Sequence, residues 1–221
     1  MDMSLTKDSK RFRVFERSYW QYYLELEEQL MRTRRYIAFD EVNFNTYSIE
    51  YLKLYQAVCS EIDVVGKEIA FQIDSSLHQQ KGHIVLNRWW YVVLPEFGDA
   101  LKNGEVIFYR TYFLSPWKNF ETVKSINKKQ SVCYVLADSA KTPTWWAAYN
   151  KVKHQRTSID KRTNRIYFTK ANLRNVSNAY AALYLLEKNY LFTIANKGDI
   201  ETLDASRLFE TESKYYFEDL G

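Results

Sequence analysis

The chain has 221 residues, of which 46% are hydrophobic and 26% are charged, and this composition is typical of a folded protein rather than a disordered one. Only 6 glycines and 3 prolines are present, which disfavours turn-rich β architectures and favours helices. The polar N-terminus has no apolar signal region and no apolar run is long enough to span a bilayer, so we expect a cytoplasmic protein with no membrane partner.

The net charge of +4 is distributed unevenly along the chain. Between residues 141 and 174, nine Lys and Arg stand against one acid, Asp160, giving this segment +8 and leaving −4 for the rest. Much of the negative charge lies in the C-terminal segment 198–221. Two interpretations remain open: a basic face for a polyanion that the acidic segment shields, or solvated charges that cluster without a ligand.

The cysteines and histidines give no sign of a metal site. Cys59 and Cys133 are far apart in the chain and lack paired spacing, which favours a reduced pair. The three histidines form no cluster with cysteine. The sequence therefore predicts neither a metal nor another cofactor.

The first half of the chain predicts two amphipathic helices. Apolar residues recur at steps of three and four from about residue 9 to residue 38, and the segment "DEVNFNTYS" then breaks the pattern. Ser48 is placed to accept a hydrogen bond as the N-cap of a second helix, which runs to about Asp74.

The middle of the chain is rich in β-branched and aromatic residues. We expect "HIVLNRWWYVVL" and "EVIFYRTYFL" to form two strands, or one strand and an irregular aromatic segment, and "SPWKNFETVKSIN" to contain a short helix. Thr142 with Pro143 then predicts the start of a third helix, about 143–155.

The stretch after this helix, "TSIDKRTNRIYF", has turn residues at its centre and predicts a basic hairpin. A fourth helix follows at about 170–190. Near its start, Asn172, Asn175 and Asn178 are placed either to bind phosphate or to cap neighbouring loops.

These elements predict one mainly α domain over residues 1–221. Its expected fold is a four-helix bundle with a helical core at about 9–74 and 142–195. A small β-containing insertion at about 79–139 lies between helices two and three, and the acidic segment 198–221 follows the core.

The stretch "TPTWWAAYNKVKHQR" carries the candidate chemistry. At helical spacing Trp145, Tyr149 and Val152 share one side, while Asn150, Lys151 and His154 share a neighbouring one. A histidine among fixed cations suits acid–base catalysis on a phosphodiester, because the cations stabilise charge in the transition state. The alternative is a structural histidine that hydrogen-bonds the last carbonyls of the helix.

Two segments, "YSIEYLKLYQAVCSEIDVVGKEIA" and "PTWWAAYNKVKHQR…YFTKANLRNVSNAYAALYLLE", resemble HEPN-type helical domains of toxin–antitoxin, abortive-infection and other antiphage proteins. The resemblance implies a HEPN-like four-helix bundle, a homodimer, and metal-independent RNA cleavage by a histidine. Active members carry an arginine four to six residues before that histidine. Here residues 147–150 are Ala, Ala, Tyr and Asn, so that arginine is absent.

If RNA is cleaved, the resemblance implies that His154 acts as the general acid–base. Lys151 and Arg156 would bind the phosphate, and Asn150 and Glu61 would position the reacting groups. Asp63 lies near Glu61 on the second helix, and we expect both acids to face the third helix. The remaining RNA contacts are expected from Lys153, Lys161, Arg162, Arg165 and Arg174.

The alternative is a non-catalytic HEPN-like interaction or phage-sensing module, in which the same polar cluster is structural. Its partner would be an antitoxin or a phage component. The missing arginine keeps this alternative open.

Overall fold

The computed structural model describes residues 7–79, 84–195 and 203–211. The helices are α1 (Lys7–Phe15), α2 (Gln21–Thr33), α3 (Ile49–Ile73), α4 (Leu86–Lys102), α5 (Thr144–Gln155) and α6 (Leu173–Ile194). A π-helical turn, Glu16–Trp20, joins α1 to α2. The strands are β1 (Val106–Phe108), β2 (Tyr112–Leu114), β3 (Thr122–Ile126), β4 (Val132–Leu136), β5 (Ile159–Asp160), β6 (Arg165–Ile166) and β7 (Phe209–Glu210).

The described strands form three small antiparallel sheets, in the orders β2-β1-β7, β3-β4 and β5-β6. In the first sheet Val106 lies opposite Leu114, and Phe108 lies opposite both Tyr112 and Phe209. The last strand therefore closes onto a hairpin about 100 residues earlier in the chain, which no local pattern could have indicated.

Helix α6 is the centre of the core, and α3 makes the largest contact with it. Most α6 side chains are buried on all sides, and Tyr180 donates its hydroxyl hydrogen to the Leu26 carbonyl at 2.8 Å. Helices α1, α2, α4 and α5 also contact α6. Within the described residues, no helix combines the length and the apolar character needed to cross a membrane.

The predicted four-helix bundle is wrong, because the structure combines helices with several small antiparallel sheets. The largest error lies in the supposed insertion, where "LNRWWYVVL" forms the first half of the long helix α4 rather than a strand. Leu86, Trp89, Trp90 and Val93 are buried at helical spacing, and α4 packs on α3. Tertiary burial of this stripe outweighs the β propensity of its aromatic and β-branched residues.

Three other segments also differ from the sequence predictions. The first helix ends at Thr33 instead of residue 38, and a turn follows in which the Tyr36 amide donates to the Thr33 carbonyl at 3.0 Å. The expected short helix in "SPWKNFETVKSIN" is absent from this described segment, which forms a turn and then β3. The stretch "EVIFYRTYFL" is a complete hairpin, β1 and β2.

Several local predictions are confirmed. Ser48 is the N-cap of α3, and its hydroxyl oxygen accepts from the Tyr51 amide at 3.0 Å. The basic hairpin forms as β5 and β6, with Asp160 opposite Arg165. Each of these features depends on hydrogen bonds between near neighbours in sequence, which is why a short pattern specifies it.

The described part of the acidic C-terminal segment, residues 203–211, is bound to α2 and β1. Glu27 is buried, and its carboxylate accepts from the Tyr23 hydroxyl at 2.9 Å, the Arg207 amide at 2.6 Å and the Ser206 hydroxyl. Trp20 donates to the Asp204 carbonyl at 2.9 Å. Residues 198–202 and 212–221 of the predicted segment lie outside the described residues.

Candidate nucleic-acid interface

Helix α5 is fixed to the core by its apolar side. The Trp145 indole is buried and donates to the Pro116 carbonyl at 2.8 Å, while the Trp145 carbonyl accepts from the buried Tyr55 hydroxyl. Tyr149 and Val152 are buried on the same side, as the sequence predicts. The opposite side is left to solvent, where Lys151, Lys153 and His154 are exposed.

The β5–β6 hairpin folds back against the end of α5. The Phe168 amide donates to the Arg156 carbonyl and the Tyr167 amide to the Ser158 carbonyl, each at 2.9 Å. These bonds place the hairpin cations beside those of the helix. We call this surface the basic face, and it consists of Lys151, Lys153, His154, Arg156, Lys161, Arg162, Arg165, Lys170 and Arg174.

An aromatic ring lies among these cations. The ammonium groups of Lys151 and Lys170 lie 5.4 Å and 5.7 Å from the centre of the Tyr167 ring. These are cation–π distances. The two lysines come from different elements, so cations from both elements lie at one half-buried ring. The arrangement presents fixed positive charge next to an aromatic surface.

The only acid of segment 141–174 is already paired. Asp160 accepts from the Lys170 ammonium at 2.8 Å and from the Arg162 amide at 3.0 Å. The hydrogen bond from Lys170, followed by that from Arg162, lowers the pKa of Asp160. Asp160 therefore stays ionised and offsets one charge, which leaves the segment's net charge at +8.

Further aromatic rings lie at the edge of the basic face near the start of α6, and we call this edge the aromatic margin. The Arg174 guanidinium lies 5.1 Å from the centre of the Phe44 ring, and Tyr47 meets Phe168 edge-on with ring centroids 5.5 Å apart. Tyr47 is 44% exposed, so this margin offers a ring that a base could contact.

The predicted catalytic residues are brought together only in part. His154 is exposed, and its side chain has no hydrogen-bond partner among the described residues. Lys151 donates to Gln155 at 3.3 Å, and Asn150 donates to the Trp146 carbonyl of its own helix at 3.2 Å. No described group orients the imidazole, which a general acid–base would require.

Glu61 faces a different part of the molecule. Its charge acts on Glu187 of α6 and on Tyr19 of the π-helical turn. Burial raises the pKa of the Glu61 carboxyl. The sequence could not separate Glu61 from Asp63, because both flank the same apolar stripe.

Asp63 is the acid that faces α4 and α5. It accepts from the Trp89 indole at 3.1 Å and forms an ion pair with Lys67. Burial, followed by the charges of Cys59 and Asp63, raises the pKa of Tyr149 to about 12. Asp63 therefore belongs to the cleft between α3, α4 and α5.

This cleft has a volume of about 480 Å³ and opens beside the basic face. Lys153 and Asn150 line it from α5, and Lys67 and Ser60 line it from α3. Sequence reasoning missed Lys67, although its position four residues after Asp63 is the spacing of a helical ion pair. Lys170 was counted in the segment charge but its position on Tyr167 was not foreseen.

Two of the three asparagines near the start of α6, Asn172 and Asn175, cap local structure. The Asn172 side chain accepts from the Asn175 amide at 3.0 Å, and Asn175 donates to the Lys170 carbonyl at 2.8 Å. Asn178 donates to the Arg174 carbonyl at 2.8 Å. The capping interpretation matches the contacts of Asn172 and Asn175, whereas Asn178 bonds within its own helix.

Among the described residues, no group of three or more His, Cys, Asp and Glu side chains is placed to hold a metal ion. No protein-family model, curated protein or solved structure matches the chain.

Proposed function

We propose that the protein binds RNA through the basic face. The observation that carries this proposal is the meeting of α5 and the β5–β6 hairpin around Tyr167, with the sole acid of the segment paired to Lys170. A dense set of lysines and arginines attracts phosphates and gains free energy by releasing the counterions of the nucleic acid. Aromatic rings beside these cations favour single-stranded RNA, because unpaired bases stack on aromatic side chains.

RNA is proposed in preference to other polyanions because of the resemblance to HEPN-type proteins. The resembling strings lie in α3 and in the α5–α6 region, and the second string supplies most of the basic face. The resemblance also suggests the biological setting, an antiphage or toxin–antitoxin system.

We propose binding without efficient cleavage. His154 is exposed and has no described partner to orient it, Glu61 faces Glu187, and the arginine that active HEPN ribonucleases carry is absent. Lys151 and Arg156 remain suitable for holding a phosphate, since both are exposed cations beside His154. A purified sample incubated with mixed RNA, with and without EDTA, is expected to show little turnover.

The binding test is a salt titration with a short single-stranded oligoribonucleotide. In a plot of the logarithm of the affinity against the logarithm of the salt concentration, the slope should be about −0.7 for each phosphate contacted. The triple variant Lys161→Glu, Arg162→Glu, Arg165→Glu should weaken binding and make the slope shallower by about 2, because three phosphate contacts are lost.

The N-terminal helical segment provides the matched control. Lys10, Arg13 and Arg17 are exposed there, so Lys10→Glu, Arg13→Glu, Arg17→Glu changes the net charge equally. The control variant should keep the slope and most of the affinity. Equal losses in both variants, or no salt dependence in the wild type, would refute a specific basic face.

The second candidate function is a protein-interaction module without catalysis. It is favoured by the outer face of the β3–β4 hairpin, where the cross-strand pair Val123 and Val135 is 40% and 41% exposed. Ile126 and Val132, at the end of the same hairpin, are 67% and 54% exposed. Undetectable RNA binding at low salt would favour this function over the first.

A further inference from the structure

Five arginines, none of them part of the basic face, converge at the end of α2. Two adjoining hollows, of about 320 Å³ and 470 Å³, share Met31, Arg34 and Arg207 as a common wall. We call the combined site the arginine cleft, and it is formed by Arg32, Arg34, Arg35, Arg110, Arg207 and Tyr109.

The carboxylates in the cleft offset only part of its charge. Glu28 accepts from Arg207 at 2.8 Å and lies 3.4 Å from the Arg32 guanidinium, while Glu210 lies 3.5 Å from that of Arg110. Five guanidinium groups against two carboxylates leave a net charge of +3. An anion with several negative charges would complete the balance.

Local helix electrostatics explain only part of this cluster. Cations near a helix C-terminus interact favourably with its dipole, which accounts for Arg32, Arg34 and Arg35. Arg110 and Arg207 come from distant segments that tertiary contacts hold in place. The Arg207 amide is bonded to buried Glu27 at 2.6 Å, and the Tyr109 amide donates to the Leu208 carbonyl at 2.7 Å.

The turn that presents Tyr109 and Arg110 is strained. Their φ angles are 49° and 60°, in the left-handed region where glycine and asparagine are favoured. A bulky residue there costs free energy, and such strain persists where the surrounding structure enforces it, often at binding sites. The Tyr109 ring lies 4.4 Å from the Arg34 guanidinium, which fixes that cation at the centre of the cleft.

We propose that the arginine cleft binds a compact phosphate-rich anion, namely a short chain of phosphate groups, either inorganic or carried by a nucleotide. The planar guanidinium fork pairs with two phosphate oxygens at once, which makes arginine better suited to this ligand than lysine. Three chain segments surround the hollow, so several arginines can reach one phosphate chain. This site is separate from the proposed RNA-binding face and does not depend on it.

The test is calorimetric titration of the full chain with inorganic tripolyphosphate and, separately, with ATP. The variant Arg34→Gln, Arg207→Gln should weaken binding about tenfold or more for each guanidinium removed. The matched control, Arg13→Gln with Arg17→Gln, removes two exposed arginines of the N-terminal helical segment and should bind as the wild type does. No binding at about 1 mM, or equal losses in both variants, would overturn the proposal.

A turn variant separates ligand binding from folding. Arg110→Gly relieves the positive φ, so its melting temperature should be unchanged or higher while tripolyphosphate binding weakens. If both this variant and the Arg34, Arg207 variant bind tripolyphosphate as tightly as the wild type does, the proposed site is refuted. Tighter binding of ATP than of tripolyphosphate assigns the ligand to the nucleotide class, and equal binding assigns it to the phosphate chain alone.

The basic-face triple variant makes the two proposals distinguishable. Lys161→Glu, Arg162→Glu, Arg165→Glu should keep tripolyphosphate binding while losing RNA affinity. If that variant loses tripolyphosphate binding and the Arg34, Arg207 variant keeps it, the anion binds at the basic face and the arginine cleft is refuted.

Discussion

At the scale of single residues, exposure decides what His154 can do. The imidazole lies at the solvent side of the last turn of α5 and makes no hydrogen bond with a described residue. A structural histidine would be expected to satisfy a buried carbonyl or a capping position. The structural alternative for His154 therefore has no contact to support it among the described residues.

The substitution His154→Ala should leave the stability almost unchanged, because no described hydrogen bond is lost. A change in unfolding free energy within about 0.5 kcal/mol is expected, as for an exposed surface position. Chemical denaturation measures this, and RNA cleavage by both proteins is followed in parallel. A loss of about 10²-fold or more in a robust wild-type cleavage rate would show that our proposal of binding without efficient cleavage is wrong.

Glu187 has an unfavourable environment. It is fully buried on α6, and both carboxyl oxygens lack a described hydrogen-bond partner. Burial, and then the charge of Glu61, raises its pKa well above the usual 4.5. The groups that face it are Glu61 from α3 and Tyr19 from the π-helical turn, whose own pKa is raised to about 12, chiefly by burial.

This environment predicts that stability falls as pH rises. A raised carboxyl pKa in the folded state stabilises the fold below the unfolded pKa of 4.5, and that contribution is lost as pH rises towards the folded value. Glu187→Gln should remove most of this slope and increase the unfolding free energy at about pH 8 by roughly 1–3 kcal/mol.

Urea unfolding at about pH 5 and about pH 8 measures the effect. The control is Glu96→Gln, which neutralises an exposed glutamate of α4 and should leave the slope unchanged. If the wild type is equally stable at both pH values, Glu187 does not control this dependence.

At the scale of elements, the close approach of α3 and α4 shapes the middle of the molecule. A Cβ added to Gly66 would lie 2.7 Å from three atoms of the Trp89 ring. That ring is held by its indole bond to Asp63 at 3.1 Å and by edge contacts with Trp90 and Trp117. The glycine therefore sets the distance at which the two helices pack.

Gly66→Ala should destabilise the protein by about 1–3 kcal/mol, since the ring cannot move away without disturbing its neighbours. Gly98→Ala, inside α4, is the matched control, because its Cβ would lie 3.2 Å from the flexible end of Leu94. The control should be neutral or stabilising by up to about 1 kcal/mol through helix propensity. Thermal unfolding compares them, and equal effects would contradict this account of Gly66.

At the scale of the whole molecule, the basis for the predicted homodimer changes. The tyrosine-rich stretch "YWQYYLELEEQL" is a candidate contact by its sequence, but Trp20 and Tyr23 are buried in the core and Tyr22 is 41% exposed. The β3–β4 hairpin offers more apolar surface, through Val123 and Val135. We therefore propose this hairpin as the contact with a second copy.

Sedimentation velocity at micromolar concentration should show a dimer for the wild type. Val123→Glu with Val135→Lys places charge on the outer face of the hairpin and should yield a monomer, because buried charge at an interface is costly. Val42→Lys, at a residue that is 84% exposed elsewhere, should remain dimeric. A monomeric wild type would contradict the homodimer prediction.

The sequence by itself determined the features that depend on near neighbours. The Ser48 cap, the extent of α3 and the β5–β6 hairpin follow from hydrogen bonds and periodicity within a few residues. Helix α5 begins at Thr144, one residue later than predicted, and its N-cap is Pro143, which makes no side-chain capping bond. The clustering of positive charge was also visible, since nine cations fall within one short segment. These features needed no knowledge of the fold.

Only the tertiary structure decided the rest. It made "RWWYVV" helical by packing Trp89 against Gly66, turned Asp63 rather than Glu61 towards α5, and placed Lys151 and Lys170 around Tyr167. Burial on a partner element can outweigh local propensity, and the side of a helix that a flanking acid faces depends on which elements surround it. Contacts between distant segments create both effects, so no local pattern contains them.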